Sequence, residues 1–385
     1  MAKSITENEK NNKEIKQAAL LRNGRALVAL LRAFLYDEPA VLPPDFSWEG
    51  VFSLACKHSV AAVLYKTAKA SGCDGQILQR WENYKNQCLR KSMLFNAERK
   101  QILSDMDKLG VESIPLKGVF LCEYYPEPLL REFADNDLLF HDRDTKTVRE
   151  YMLNRGYQSD HEYRSDVHDE YKKPPIFNFE WHRRLLPTTQ EKSLCSYFDG
   201  VWERAVRDEN GKLRFCDEDF YLYFLAHLKK HAEEGGVGLR AYADYRFLTQ
   251  GYEKKSEAEK VALLAAAKKS GLYDYEQEFK AEYTALLEEN TLSDGKLLYV
   301  LSNGTYGTEA HKASQRIEKK GKASYFFYRA FPPMGRMVYD YPILRKFPVL
   351  LPVFWVYRYL RLFNPNVRKT MKKDLYYLKP KKEEE

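Results

Sequence analysis

Within REFADNDLLFHDRD, residues 131–144, Asp135 and Asp137 flank an asparagine and stand just before Leu138, Leu139 and Phe140. Such an apolar run predicts a buried strand at 135–140, and on a strand residues i and i+2 project to the same face. The two carboxylates would then lie side by side. Carboxylates that close repel and shift each other's ionisation, so the pair costs stability unless a positive charge compensates it. A divalent cation removes the conflict, and carboxylate oxygens, phosphates and water are the ligands Mg²⁺ prefers. The plainer alternative is a solvated turn, since Asp and Asn are common in loops. An EF-hand does not fit, because its loop needs Asp or Asn at position 139 and Gly at 140, where the chain has Leu139 and Phe140.

Two flanking signals favour the metal. Upstream, Lys117 and Gly118 in VESIPLKGVF mark a strand-to-helix turn, a place where backbone N–H groups and a lysine can meet phosphate. Downstream, Glu180 sits in the alternating run FNFEWH and could add a third carboxylate to the same face of a sheet. The elements that would carry these residues are a short strand after Gly110, a brief helix VFLCEYY, the strand at 135–140, an amphipathic helix at 144–154 ending before Gly156, and an apolar run at 175–186. This is a βαβαβ-like succession, the mark of a small mixed α/β core.

Both sides of that core read as helical. Residues 13–97 place apolar side chains at three and four spacing, Ser47 can cap the helix beginning WEGVFSLA, and a long helix runs from about Gln76 to Leu109 with Gly110 as its stop. Helical periodicity returns over 217–290 on either side of the turn GGVG. The final quarter mixes aromatics, prolines and arginines and ends in the charged stretch PKKEEE.

Length and composition set the frame. At 385 residues, 44% hydrophobic and 30% charged, the chain reads as globular, with a core large enough for two or three domains. The six cysteines form no CxxC pair or tight Cys/His group, which speaks against a zinc ribbon or a disulfide framework and suits a reducing, cytoplasmic setting. The polar start MAKSITENEKNNKEIKQ lacks the apolar centre of a secretion signal, and no run reaches the roughly 18 apolar residues of a membrane span. Net charge is +7, but residues 312–385 carry 18 Lys/Arg against 6 Asp/Glu, leaving 44 against 49 in the first 311. The basicity belongs to the C-terminal segment.

IPLKGVFLCEYYPEPLLREFADNDLLF, followed by a helix and Gly156-Tyr157, resembles the uncharacterised nucleotidyltransferase family of the DNA polymerase β superfamily. The resemblance continues through FEWHRRL at 179–185, AHLKKHA, GLRAYADYRFL and the aromatic text near the C-terminus, so that it covers most of residues 100–360. It implies an α+β fold: a small mixed-sheet palm flanked by N-terminal and C-terminal helical regions. It also implies Mg²⁺-dependent transfer of a nucleoside monophosphate from an NTP to a hydroxyl-bearing acceptor. Asp135 and Asp137 map to the metal-binding pair and Glu180 to the third acid, together holding two ions. Lys117, Gly118, Arg131 and His182 fall on the substrate side. Two positions depart from the superfamily pattern: Val119 stands where a serine or glycine is common, and Asn136 where the residue is usually apolar. On these departures rests one alternative, an inactive nucleotide-binding or interaction module; a second, a tRNA-acting protein of toxin-antitoxin type, would depend on the basic C-terminus.

The remaining candidates have plainer readings. His227 and His231, at i, i+4, could bind a metal, but Lys229 and Lys230 between them favour packing or substrate contact. Asp244 can pair with Arg240 at i, i+4. Arg131, four residues before Asp135, can neutralise a carboxylate or meet phosphate. The GGVG turn lies between helices and so is a weak phosphate signal. The basic aromatic C-terminus folds back as a cap on the core, touches an anionic membrane, or binds nucleic acid, and the first is expected because LLPVFWVYRYL would otherwise expose a large apolar patch. The expected division is an N-terminal helical domain at 1–97, the palm at 98–190, a helical domain at 191–310 and the basic segment at 311–385.

Overall fold

In the computed structural model, which describes residues 2–159, 167–187, 190–233, 235–305, 307 and 309–360, the N-terminal part is built from four helices. Helix α1 (Ala2–Tyr36) buries Ala26, Leu27, Leu30 and Leu31, a stripe at helical spacing. The expected cap opens α2 (Trp48–Lys57): the Ser47 hydroxyl accepts from the Gly50 amide at 3.3 Å. Helix α3 (Ala61–Ala70) packs on α4 (Gly75–Lys108), where the Trp81 indole donates to the Ala61 carbonyl at 2.6 Å. Helix α4 stops where Gly110 turns to φ +73°, as its sequence predicts. It is long enough to serve two cores, with Trp81 in the first and Ile102 and Met106 in the second.

The sheet has four strands in the order β1-β2-β4-β3: β1 (Ser113–Pro115), β2 (Asn136–Phe140), β3 (His168–Lys173) and β4 (Phe177–His182). Strand β1 is antiparallel to β2, β2 parallel to β4, and β3 antiparallel to β4. The short α5 (Gly118–Leu121) and the helix α6 (Thr145–Asn154) lie in the connections flanking β2. Side-chain alternation gives the sheet two different faces. On the back, Leu138, Phe140, Phe179 and Trp181 pack on Ile102 and Met106 of α4 and on Val148 and Met152 of α6. The front carries the polar residues described below. The chain is therefore α+β, a small mixed sheet among helices.

After α7 (Lys192–Asp199), α8 (Val201–Arg204) and the two-stranded β5–β6 hairpin (Val206–Arg207, Leu213–Arg214) come α9 (Asp217–Glu233), α10 (Leu239–Glu253), α11 (Glu257–Ser270), α12 (Tyr273–Tyr283) and α13 (Asp294–Asn303). One apolar core runs from Ala26 to Leu301 and takes in Ile114, Leu116 and Leu139 of the sheet region. The glycines of GGVG serve packing in this region. A Cβ on Gly236, which has φ +100°, would meet the Asn303 amide at 2.0 Å, and one on Gly238 would meet the Gly304 carbonyl oxygen at 2.3 Å.

The last described elements, α14 (Glu309–Ala330), α15 (Met334–Asp340) and α16 (Leu351–Leu360), pack on one another. Trp355 donates to the Pro332 carbonyl at 2.9 Å, Arg358 to that of Arg329 at 2.9 Å and Tyr359 to that of Ala330 at 2.6 Å. Phe331 meets Trp355 edge-on at 5.4 Å, and Tyr341 lies 4.8 Å from Phe354. Neither core contains a residue beyond Leu301 among those described. The expected fold-back over the core is thus replaced by a local one. Prolines at 332, 333, 342, 348 and 352 interrupt the helices, so the aromatic residues find partners within their own segment. The charged stretch PKKEEE lies outside the described residues.

Candidate active site

Strand register brings the acids together. Asp137 of β2 stands opposite Glu180 of β4, and Leu139 opposite His182, so the parallel pairing alone puts Asp137, Glu180 and His182 on the front face. His168 of β3, opposite His182, joins them. Asp135 lies one residue ahead of the strand on the side of Asp137. Ligand oxygens of Asp135, Asp137 and Glu180 all lie within 4.8 Å of one another.

The neighbours of these carboxylates differ sharply. Asp137 is 3% exposed, and its Oδ1 accepts from Lys117 Nζ at 2.9 Å and from His182 Nε2 at 2.8 Å. Burial pushes the Asp137 carboxyl up, but the Lys117 charge and the His182 bond outweigh it and hold it well below the usual range. Burial alone would lower the His182 pKa, yet its bonds to Asp137 and Glu180 raise it. Asp135 has no hydrogen-bond or ion-pair partner among the described residues. Burial, with the charges of Asp137 and Glu180, pushes its pKa up to about 7. An unpartnered carboxyl beside two others, all with oxygen ligands, fits a divalent cation.

Asn136 points the other way. Its side chain is fully buried on the back face, where Oδ1 accepts from Arg99 Nη1 of α4 at 2.7 Å, and Arg99 Nη2 reaches Asn96 Oδ1 at 2.6 Å. The residue between the aspartates is polar because α4 brings a buried arginine under the strand.

The turn before α5 departs from expectation. Lys117 adopts φ +44°, and the amides of Val119, Phe120 and Leu121 bond to the carbonyls of Leu116 and Lys117. These three backbone donors are spent within the turn, while the Lys117 amino group reaches the acids at Asp137. The carboxylate that Arg131 neutralises is Asp244. The arginine is 4% exposed and forms a two-pronged pair with Asp244 of α10, Nε to Oδ1 at 2.7 Å and Nη2 to Oδ2 at 2.8 Å, while Tyr125 donates to Oδ1 at 2.7 Å. The expected Asp244–Arg240 pair is therefore absent; Arg240 donates to the Glu132 carbonyl at 2.9 Å. Gly118 is explained by the same arginine, since a Cβ there would stand 2.9 Å from Arg131 Nη1.

A cavity of about 540 Å³ opens over the acids. The sheet front forms one wall, and α9 and α10 form the other through Tyr223, His227, Lys230 and Arg240. His227 and His231 face this cavity with their Nε2 atoms 3.1 Å apart. Burial, followed by the charge of Lys117 and by His231, holds His227 well below its ordinary pKa. Sequence reasoning missed His168, Tyr223, Lys230 and Arg240. The spacing of 223, 227 and 230 on one helical face was a visible signal for two of them.

A family model described as uncharacterised nucleotidyltransferase matches residues 44–276. That is 233 of 385 residues, more than half of the chain. The chain belongs to this family. No curated protein and no solved structure matches it. The nucleotidyltransferase match begins before α2 and ends within α12, so it takes in the acidic sheet together with the α9 and α10 wall of the cavity. It stops short of the aromatic C-terminal segment.

Proposed function

We propose that the chain is a Mg²⁺-dependent nucleotidyltransferase that moves a nucleoside monophosphate from an NTP to a hydroxyl-bearing acceptor and releases pyrophosphate. The observation that carries this reading is the convergence of Asp135, Asp137 and Glu180 within 4.8 Å at a cavity of about 540 Å³ that also holds Lys117, Lys230 and Arg240. In this reading the three acids hold two Mg²⁺ ions. When bound, the ions would supply charge neutralisation at the transferred phosphate and help ionise the acceptor hydroxyl. The acceptor oxygen forms a bond to the α-phosphorus as the bond to the pyrophosphate oxygen breaks. Glu180 accepts the hydroxyl proton, with His182 Nε2 at 3.5 Å to steady the carboxyl. Lys117, now on Asp137, is the point charge nearest the acids for a phosphate. Arg131 acts on the same site by fixing the turn at Gly118, and its Nη1, buried without a hydrogen-bond partner among the described residues, belongs to a side chain that lines the cavity.

Asn136 lends nothing to the alternative of an inactive module, because its side chain serves the back face. A cytoplasmic location, where NTP and Mg²⁺ are abundant, belongs to the proposal, and the six cysteines are free. The test is calorimetry of each NTP with Mg²⁺ for wild type and for Asp135→Asn/Asp137→Asn, followed by mass spectrometry for a product that has gained a nucleotide. Absence of Mg·NTP binding in the wild type sinks the reading.

A further inference from the structure

Ten of the twenty exposed large hydrophobic side chains among the described residues fall between Phe326 and Leu360. Helix α16 concentrates them. Val353, Val356, Tyr357 and Leu360 are 59%, 61%, 50% and 57% exposed and follow i, i+3, i+4, i+7, which is one complete helical face. The opposite face holds Trp355, Arg358 and Tyr359, whose polar tips are anchored on the carbonyls of 329–332. The helix is therefore fixed with its apolar stripe outward, the reverse of a helix that closes a core.

We infer that the α14–α16 segment docks on an anionic lipid surface. Three features select this occupant. Residues 321–360 hold six Lys/Arg and one Asp, and 312–385 hold 18 against 6, so the apolar stripe sits in a strongly basic segment. Two copies meeting through this segment would bring two basic segments together, 18 Lys/Arg against 6 Asp/Glu in each. Nucleic acid would suit the charge, but it suits the stripe less well than lipid does, because three of its four members, Val353, Val356 and Leu360, offer no ring for a base to stack on. Twelve of these forty residues are aromatic, and Phe326, Phe327, Phe331, Phe347 and Tyr357 are exposed, a composition that matches a membrane–water boundary. No described helix is long and apolar enough to cross a membrane, so α16 would lie in the plane of the surface with its stripe in the acyl boundary. This inference does not draw on the nucleotidyltransferase reading.

The test uses the full chain, floated with vesicles of phosphatidylcholine alone or mixed with phosphatidylglycerol, at low and high salt. Wild type should float with the anionic vesicles and less so at high salt. Val353→Asp/Val356→Asp should lower partition by about tenfold or more. Both positions are exposed, and an unchanged circular dichroism spectrum and melting curve would show that the fold is kept. Wild type that stays at the bottom with anionic vesicles at low salt overturns the inference. So does equal flotation of the double variant, or a dimer in ultracentrifugation that the double variant dissolves while neither protein floats.

Discussion

Replacing Asp135 by Asn should stabilise the metal-free protein, a direction opposite to that of most substitutions of buried polar groups. The carboxyl has no hydrogen-bond or ion-pair partner among the described residues, and burial with Asp137 and Glu180 lifts its pKa from 3.8 to about 7. Between those two pH values the folded state holds a proton that the unfolded state has released, so folding stability falls as pH rises from about 4 to 7 and is flat beyond. Three units at about 1.4 kcal/mol each set an upper limit of about 4 kcal/mol at pH 8. Solvent at the cavity mouth screens part of it, which makes about 1–4 kcal/mol the working range. With an unfolding entropy of about 0.8 kcal/mol/K for a chain this long, the Asn variant should melt about 1–5 °C above wild type at pH 8 in EDTA. The gap should close near pH 4. Added Mg²⁺ should raise the wild-type Tm more than that of the variant, because a cation that binds only the folded state stabilises it by mass action. Differential scanning calorimetry at several pH values reads all of this. An Asn variant that melts lower at pH 8, or a gap that ignores pH, refutes the repulsion on which the metal assignment rests.

Asp137→Asn should behave in the opposite way, since it leaves Lys117 and His182 facing each other without their shared anion: a loss of about 3–5 kcal/mol in urea unfolding is expected. Gly118→Ala drives a Cβ against a guanidinium already pinned by Asp244 and should cost about 1–3 kcal/mol by the same assay. Arg131→Lys should not preserve stability, because an ammonium cannot reproduce the two-pronged contact with Asp244, and chemical denaturation should place it near Arg131→Met. Asn136→Leu alone strands the buried Arg99 guanidinium, whereas Asn136→Leu/Arg99→Met should recover most of the lost stability, as a double-mutant cycle would show.

The acidic centre was legible because its signal is local. Asp135 and Asp137 share a face through the two-residue period of a strand, FNFEWH alternates in the same way, and the helix ends at Ser47 and Gly110 follow from backbone chemistry. What stayed hidden depends on distance along the chain. Arg131 and Asp244 are separated by 113 residues, and nothing in either local pattern points to the other. Strand β3 reads HDEYKK, with Tyr171 its one apolar contribution to a core, so no hydrophobic alternation announced it or placed His168 in the site. The C-terminal helices were misjudged for a different reason: apolar content argued for burial, but burial needs a surface to pack on, and the aromatic residues found it in their own segment.

The register between β2 and β4 has a consequence for how sequence change can reach the site. Asp137 faces Glu180 because Phe179 and Trp181 are locked into the back-face core beside Ile102 and Met106. Lengthening the short link between Phe140 and α6 leaves that lock in place. Inserting a single residue between Phe177 and Phe179 turns the strand over, sending the carboxylate into hydrocarbon and an aromatic ring into the cavity. Drift in this protein is therefore filtered by position: length can wander in the link after β2, while within β4 hydrophobic burial guards the spacing of the acids.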